Sequence, residues 1–287
     1  MMNKKIYYLV ASIIIVLYAI LQTVLGISEN VLINQIAPVI LTVLTVGFIF
    51  LHGSLRYGIK QMLVFFVITT LISWSYENIS ILTGFPFGNY HYTDKLGLKI
   101  LYVPIIIMPA YFGSGYLSWT IAQLIIGDYN SKPNKKNWFV IPIIATFIMV
   151  MWDFTVDPFM STISGNWIWE NGGAYFGVPF VNFVGWFICV FTIYIVYSLY
   201  LQRNKEYKAH NITKEKPYWI TAVIMYALLP GFTFFKMFFA NNETVKSLDG
   251  NEWSTLDIYT TQALMAIFMM WFVSLLTIII IKNHKTE

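Results

Sequence analysis

Eight stretches of the chain, near residues 6–25, 31–51, 59–80, 100–126, 138–158, 177–201, 217–240 and 260–281, are predominantly apolar and each about twenty residues or longer. A helix of about 20 residues spans the roughly 30 Å of bilayer hydrocarbon and satisfies its own backbone hydrogen bonds there. The sequence therefore predicts an all-α fold, a polytopic integral membrane helical bundle with about eight transmembrane helices. Charge agrees with this. The chain has 18 Lys and Arg and 14 Asp and Glu in 287 residues, against the roughly 70 ionisable groups of an average soluble protein of that length. A water-soluble fold is excluded. Lys4 and Lys5 before the first stretch imitate a secretory signal, but the stretch runs too long and no Ala-x-Ala site follows, so it is read as a retained span.

The distribution of basic residues tests the count, because cytoplasmic loops hold the excess of Lys and Arg. Alternate ends and loops contain Lys4 and Lys5; Arg56 and Lys60; Lys132, Lys135 and Lys136; Arg203, Lys205, Lys208, Lys214 and Lys216; and Lys282 and Lys285. The opposite set holds only Lys95, Lys99 and Lys246, with Lys236 inside the seventh span. Eight spans thus place both termini in the cytoplasm in a multi-pass cell-membrane protein, whereas seven would destroy the separation. The longest hydrophilic stretches, 203–216 and 241–257, are under twenty residues, so 1–287 reads as a single integral membrane domain.

Aromatics make up 18% of the residues, which suits a flat, greasy or cationic ligand. The net charge of +4 is scattered and forms no basic stripe, so no nucleic-acid partner is expected. Cys189 is the single cysteine and lies in an apolar run, and His52, His91, His210 and His284 are dispersed. No metal cluster, phosphate loop or dinucleotide fingerprint is present, and the expectation is chemistry without metal or cofactor.

The informative residues are acids in apolar surroundings. Glu77 lies in the third span, and Asp153 and Asp157 lie four apart on one face of the fifth. Ionisable groups at such depth are costly and mark functional sites; the plainer alternative is a set of interfacial carboxylates. Each acid-bearing span leads into an aromatic outer loop. Gly88-Asn89-Tyr90-His91-Tyr92 aligns with Gly165-Asn166-Trp167-Ile168-Trp169, and Tyr102-Val103-Pro104 with Gly177-Val178-Pro179. Glu77 and Asp153 precede their Gly-Asn by 11 and 12 residues. This reads as a weak internal parallel repeat of helix-loop-helix units, which would set Glu77 and Asp153 face to face. Pro179 suits the start of a helix, and Asn182 and Trp186 share a face of it. Asn182 is a candidate for orienting a water or a carboxyl, and His91 for relaying a proton. Lys236 is expected to snorkel.

Together these residues resemble the membrane-bound carotenoid biosynthesis family that includes the carotenoid 1,2-hydratases. The likeness rests on Glu77 followed by Gly84-Phe85-Pro86-Phe87-Gly88-x-Tyr90-x-Tyr92, on Asp153 with Asp157-Pro158, and on Trp167-x-Trp169 through Tyr175-x-Gly177-Val178-Pro179-x-x-Asn182-Phe183-x-Gly185-Trp186. It covers about residues 60–200. What it implies is a cofactor-free addition of water across the terminal C1–C2 double bond of an acyclic carotenoid, a C30–C50 polyene taken from membrane lipid, with other carotenoid enzymes as conceivable neighbours.

The residues suit that chemistry. Hydrating such an alkene needs an acid to protonate C2, stabilisation of the tertiary cation at C1 and one placed water. A carboxyl desolvated among Trp74, Trp152 and Phe154 keeps a proton to give, and aromatic faces stabilise a cation. Glu77, Asp153, Asp157 and Asn182 are the catalytic candidates. Trp74, Phe87, Tyr90, His91, Tyr92, Trp152, Trp167, Trp169, Tyr175 and Trp186 are the substrate-binding candidates. Three alternatives remain open. A membrane prenyltransferase would use Asp153-x-x-x-Asp157 on magnesium diphosphate, although residue 149 is Met and no second aspartate cluster follows. A lycopene cyclase would share the protonation step. A proton-coupled transporter or lipid-binding protein would use the acids without chemistry.

Overall fold

The computed structural model describes residues 3–284; Lys285 of the basic set lies outside the described residues. Helix α1 (Lys4–Ile27) opens on Asn3, whose side chain accepts from the Lys5 amide at 2.9 Å. Helix α2 (Val31–Tyr57) opens likewise on Asn30. Such caps satisfy amides that have no partner within the helix. After α3 (Ile59–Thr83) come α4 (Ile107–Ile125), α5 (Val140–Pro158) and α6 (Phe180–Arg203). The seventh crossing is broken at Leu229-Pro230 into α7 (Lys216–Leu228) and α8 (Gly231–Phe239), because proline cannot continue the hydrogen-bond ladder. The eighth is α9 (Thr255–Met265) continued through a π-helical turn into α10 (Phe272–Asn283).

Seven of these crossings are long and apolar enough to traverse a membrane. The other, α4, has 19 residues, about 28 Å at the α-helical rise. Its sequence is the less apolar because it does not meet lipid. Packed against α2, α3, α5 and α7, it is buried almost all round, Ser114, Ser118, Thr120 and Gln123 included. The outward faces of the peripheral helices are instead strongly apolar, as with Ile6, Leu9, Ile13 and Leu17 on α1 and Leu63, Val67 and Leu71 on α3.

Ion pairs and hydrogen bonds sort the connections into two ends. At one, Lys4 pairs with Glu215 at 2.8 Å, Lys216 donates to the Lys282 carbonyl and Lys132 to the Gln202 carbonyl. Both described chain ends therefore lie at the same end of the bundle, as an even number of crossings requires. At the other end Asn241 donates to Glu29 and Lys95 to the Ser164 carbonyl. Lys236 belongs here and does not snorkel. It is buried, and its ammonium donates to the Ser28 carbonyl at 2.6 Å, capping the end of α1.

The fourth helix begins at Ile107 rather than near residue 100, because the chain before it forms a short ribbon of β2 (Lys99–Ile100) and β3 (Val103–Pro104), after β1 (Tyr90–Tyr92). Pro104 thus closes a strand, whereas Pro179 directly precedes α6. The two aromatic loops meet: β1 pairs antiparallel with β4 (Trp167–Trp169), setting Tyr90 opposite Trp169, His91 opposite Ile168 and Tyr92 opposite Trp167. With Tyr90 equivalent to Trp167, this is the pairing that a local two-fold axis through His91 and Ile168 produces. A third ribbon joins β5 (Thr244–Lys246) to β6 (Glu252–Ser254).

Candidate active site

Helix α3 stops at Gly84, whose φ of 76° is strained for other residues and accessible to glycine. Ser80, one turn earlier, accepts from the Phe87 amide at 3.0 Å and donates to the Gly88 carbonyl at 3.2 Å, folding the loop back over the helix end. The loop then lies directly on α6. A Cβ at Gly185 would come within 2.7 Å of both Phe87 and the Pro86 carbonyl. Alternation along β1 turns Tyr90 and Tyr92 inward and His91 outward.

This arrangement surrounds Glu77 with phenols. Its Oε2 accepts from the hydroxyls of Tyr90 and, at 2.9 Å, of Tyr92, and its Oε1 accepts from Tyr111 of α4 at 2.8 Å. Burial first, and then the adjacent Glu77, raise the Tyr90 and Tyr92 phenols well above the ordinary tyrosine value, so both stay protonated donors. Asp157, in the last turn of α5, receives the partner loop: its Oδ1 accepts the indole N–H of Trp167 at 2.9 Å and of Trp169 at 3.4 Å. The Asn182 amide bridges the two aspartates, donating to Asp157 Oδ2 at 2.6 Å and Asp153 Oδ2 at 3.1 Å. Between two carboxyls only the NH₂ end of an amide is complementary.

By spacing in the sequence Glu77 matches Asp153, and the two line one cavity. Judged by hydrogen bonds, the counterpart of Glu77 is Asp157, since each accepts from both inward aromatics of its own loop. Asp153 sits one turn deeper and accepts a single bond. All three carboxyls and Asn182 line one cavity of about 60 Å³. Among the described residues no Lys, Arg or His contributes to its wall, and no three His, Cys, Asp or Glu side chains stand close enough to hold a metal ion together.

Of the aromatic candidates, Phe87, Tyr90, Tyr92, Trp167 and Trp169 reach this cavity from the loops, and Trp152 and Trp186 from the helices. Trp186 stacks on Tyr111 with ring centroids 4.4 Å apart and meets Trp152 edge-on at 6.0 Å. Three candidates do not reach it. Trp74 donates to the Ile100 carbonyl and Tyr175 to the Phe154 carbonyl, so both pin loops to helices. His91 faces away, half-exposed beside Glu170 at 3.1 Å, and the structure offers it no path for relaying a proton to the cavity. Tyr111, Ile107, Ala110 and Val156 complete the wall without having been foreseen. No local pattern in the sequence marks Tyr111.

The fold and site define a multi-pass membrane protein with an aromatic, carboxyl-bearing cavity near one end of its bundle. Residues 37–244 match the model of a family described as carotenoid biosynthesis protein, and the chain belongs to that family. It is 28% identical over 123 residues to a bisanhydrobacterioruberin hydratase from Haloarcula japonica, an alignment covering 42% of this chain and 40% of that relative's length. No solved structure matches the chain.

Proposed function

We propose that this protein hydrates the terminal C1–C2 double bond of an acyclic carotenoid end, using side chains alone. The observation that carries the reading is the unequal supply of donors to three carboxyls in one cavity that holds no basic group. Glu77 and Asp157 each accept three hydrogen bonds, the surroundings of an anion, whereas Asp153 accepts one. Asp153 is therefore the residue with an oxygen free to carry the transferable proton. Asp153 protonates C2, and the π electrons of the alkene form the new C–H bond and leave a tertiary cation at C1. The faces of Trp152, Trp186 and Tyr111 stabilise that cation, by about 2 kcal/mol per face in a dry site. A water held by Glu77 adds to C1 and gives up a proton to the carboxylates, restoring the acid. Asp157 and Asn182 hold Asp153 in place.

The same reading treats residues 1–287 as one membrane domain with its basic end in the cytoplasm and the aromatic loops outside. Pigments from lycopene-making cells that express the protein should gain one water per reacted end, and Asp153→Asn should abolish the gain while the protein still accumulates. Unchanged pigment with the wild-type protein would sink the proposal. Loss of activity on chelation, restored by magnesium, would move the reading to a prenyltransferase.

A further inference from the structure

A second cavity, of about 150 Å³, lies across the α4–α5 pair from the first. The carboxyl cavity draws its walls from α3, α6 and the aromatic loops, whereas this one draws on α1, α2 and the turn between α7 and α8. The two share a frame of Ile107, Ala110, Trp152, Val156 and Trp167. Among the described residues no charged side chain lines the second cavity, and its polar side chains are turned to backbone except Tyr18, whose hydroxyl accepts from the Gln22 amide at 3.2 Å. Thr42, Thr45 and Ser114 donate to the carbonyls one helical turn earlier, and Gln22 bonds the Leu229 carbonyl and the Phe232 amide. What the wall presents is mostly methyl, methylene and aromatic surface, which suits an apolar occupant. The lining includes the partly exposed Pro38 and Thr42 on α2 and the partly exposed Pro109 and Met160, which we take as its rim. Val39, Ile40 and Val43, beside the α2 rim, are exposed apolar residues that lipid would cover, so the mouth opens sideways into hydrocarbon.

We propose that this second cavity is the channel for the isoprenoid chain of the substrate, and that the chain's end passes between α4 and α5, through the shared frame, to the carboxyls. The inference rests on the carotenoid reading for its occupant, and on the wall residues common to the two cavities for its path. Ala110 is the smallest side chain of the frame and the position at which the passage can be closed. A polyene leaves its conjugated body in the lipid, lays the segment next to its end in the channel and presents only its terminal alkene to Asp153.

The test separates binding from chemistry. Purified monodisperse protein is incubated with lycopene, bound pigment is read from visible absorbance and induced circular dichroism, and product is read by mass. Thr42→Trp and Met160→Trp, on opposite rims, should each lower bound lycopene by about tenfold, equivalent to about 1.4 kcal/mol. Ala110→Phe should keep the bound pigment and lose hydration, as should Asp153→Asn. Undiminished lycopene in either rim variant overturns the channel, and undiminished hydration in Ala110→Phe overturns the passage. Wild-type protein that binds lycopene but hydrates none, and loses the pigment in the rim variants, would keep the channel while removing the hydratase reading.

Discussion

Asp153 and Glu77 carry the same functional group, and what separates them is the company each keeps. Three phenols converge on Glu77, so in the proposed reaction its task is to hold the water and receive protons. Asp153 has the Asn182 amide as its single donor and the Trp152 and Trp186 rings in the same wall. Replacing an acid by its amide preserves size and removes the transferable proton. Asp153→Asn should therefore lower turnover by at least about a hundredfold, the low end of what a general acid contributes. Tyr111→Phe removes one of three donors to a charged acceptor, a loss of about 1.5–3 kcal/mol, and should slow turnover by roughly ten- to a hundredfold without reducing the protein in the membrane. Full activity in Asp153→Asn would assign the proton elsewhere.

At the scale of elements, the site is two helix ends and two aromatic loops locked by one close approach. Gly185 lets α6 lie against the Pro86 carbonyl and the Phe87 ring, and overpacking of this kind costs about 1–3 kcal/mol. Gly185→Ala should displace the loop that carries Tyr90 and Tyr92 and depress hydration strongly, with insertion and helix content kept; wild-type turnover would show that the loop's seat is unimportant. Much of this was legible in the sequence. Carboxyls stand out where everything around them is apolar, and the paired loops could be aligned by their Gly-Asn-aromatic pattern. Other parts were not legible, because they depend on which way a face turns. Four-residue spacing puts Asp153 and Asp157 on one face but does not reveal that the indoles reach only Asp157. His91 looked available until the strand assigned it the outward side. Tyr111 is one of 19 tyrosines, and its importance comes from helix packing that no local pattern records. The snorkelling expected of Lys236 failed because α1 ends beside it and leaves a carbonyl in need of a donor.

At the scale of the molecule, α4 explains why counting apolar runs and measuring apolarity give different numbers. A helix sheathed by other helices has no lipid to satisfy, so serines, a threonine and a glutamine are tolerated along it. Both described chain ends then lie at the basic end of the bundle, and the two aromatic loops at the other. Cysteines placed at the exposed positions Asn89 and Asn171, with Cys189 buried, should react with an impermeant reagent from outside the cell only. Labelling of either from the cytoplasm would invert the topology.

In the proposed reaction a carboxyl delivers a proton to C2, and water, rather than a neighbouring alkene, captures the cation at C1. Hydration of lycopene by the purified protein in deuterated water enriched in heavy oxygen tests both halves at once. The account predicts one deuterium on C2 and one heavy oxygen on C1 at each reacted end. A ring-bearing product with no oxygen added would contradict it.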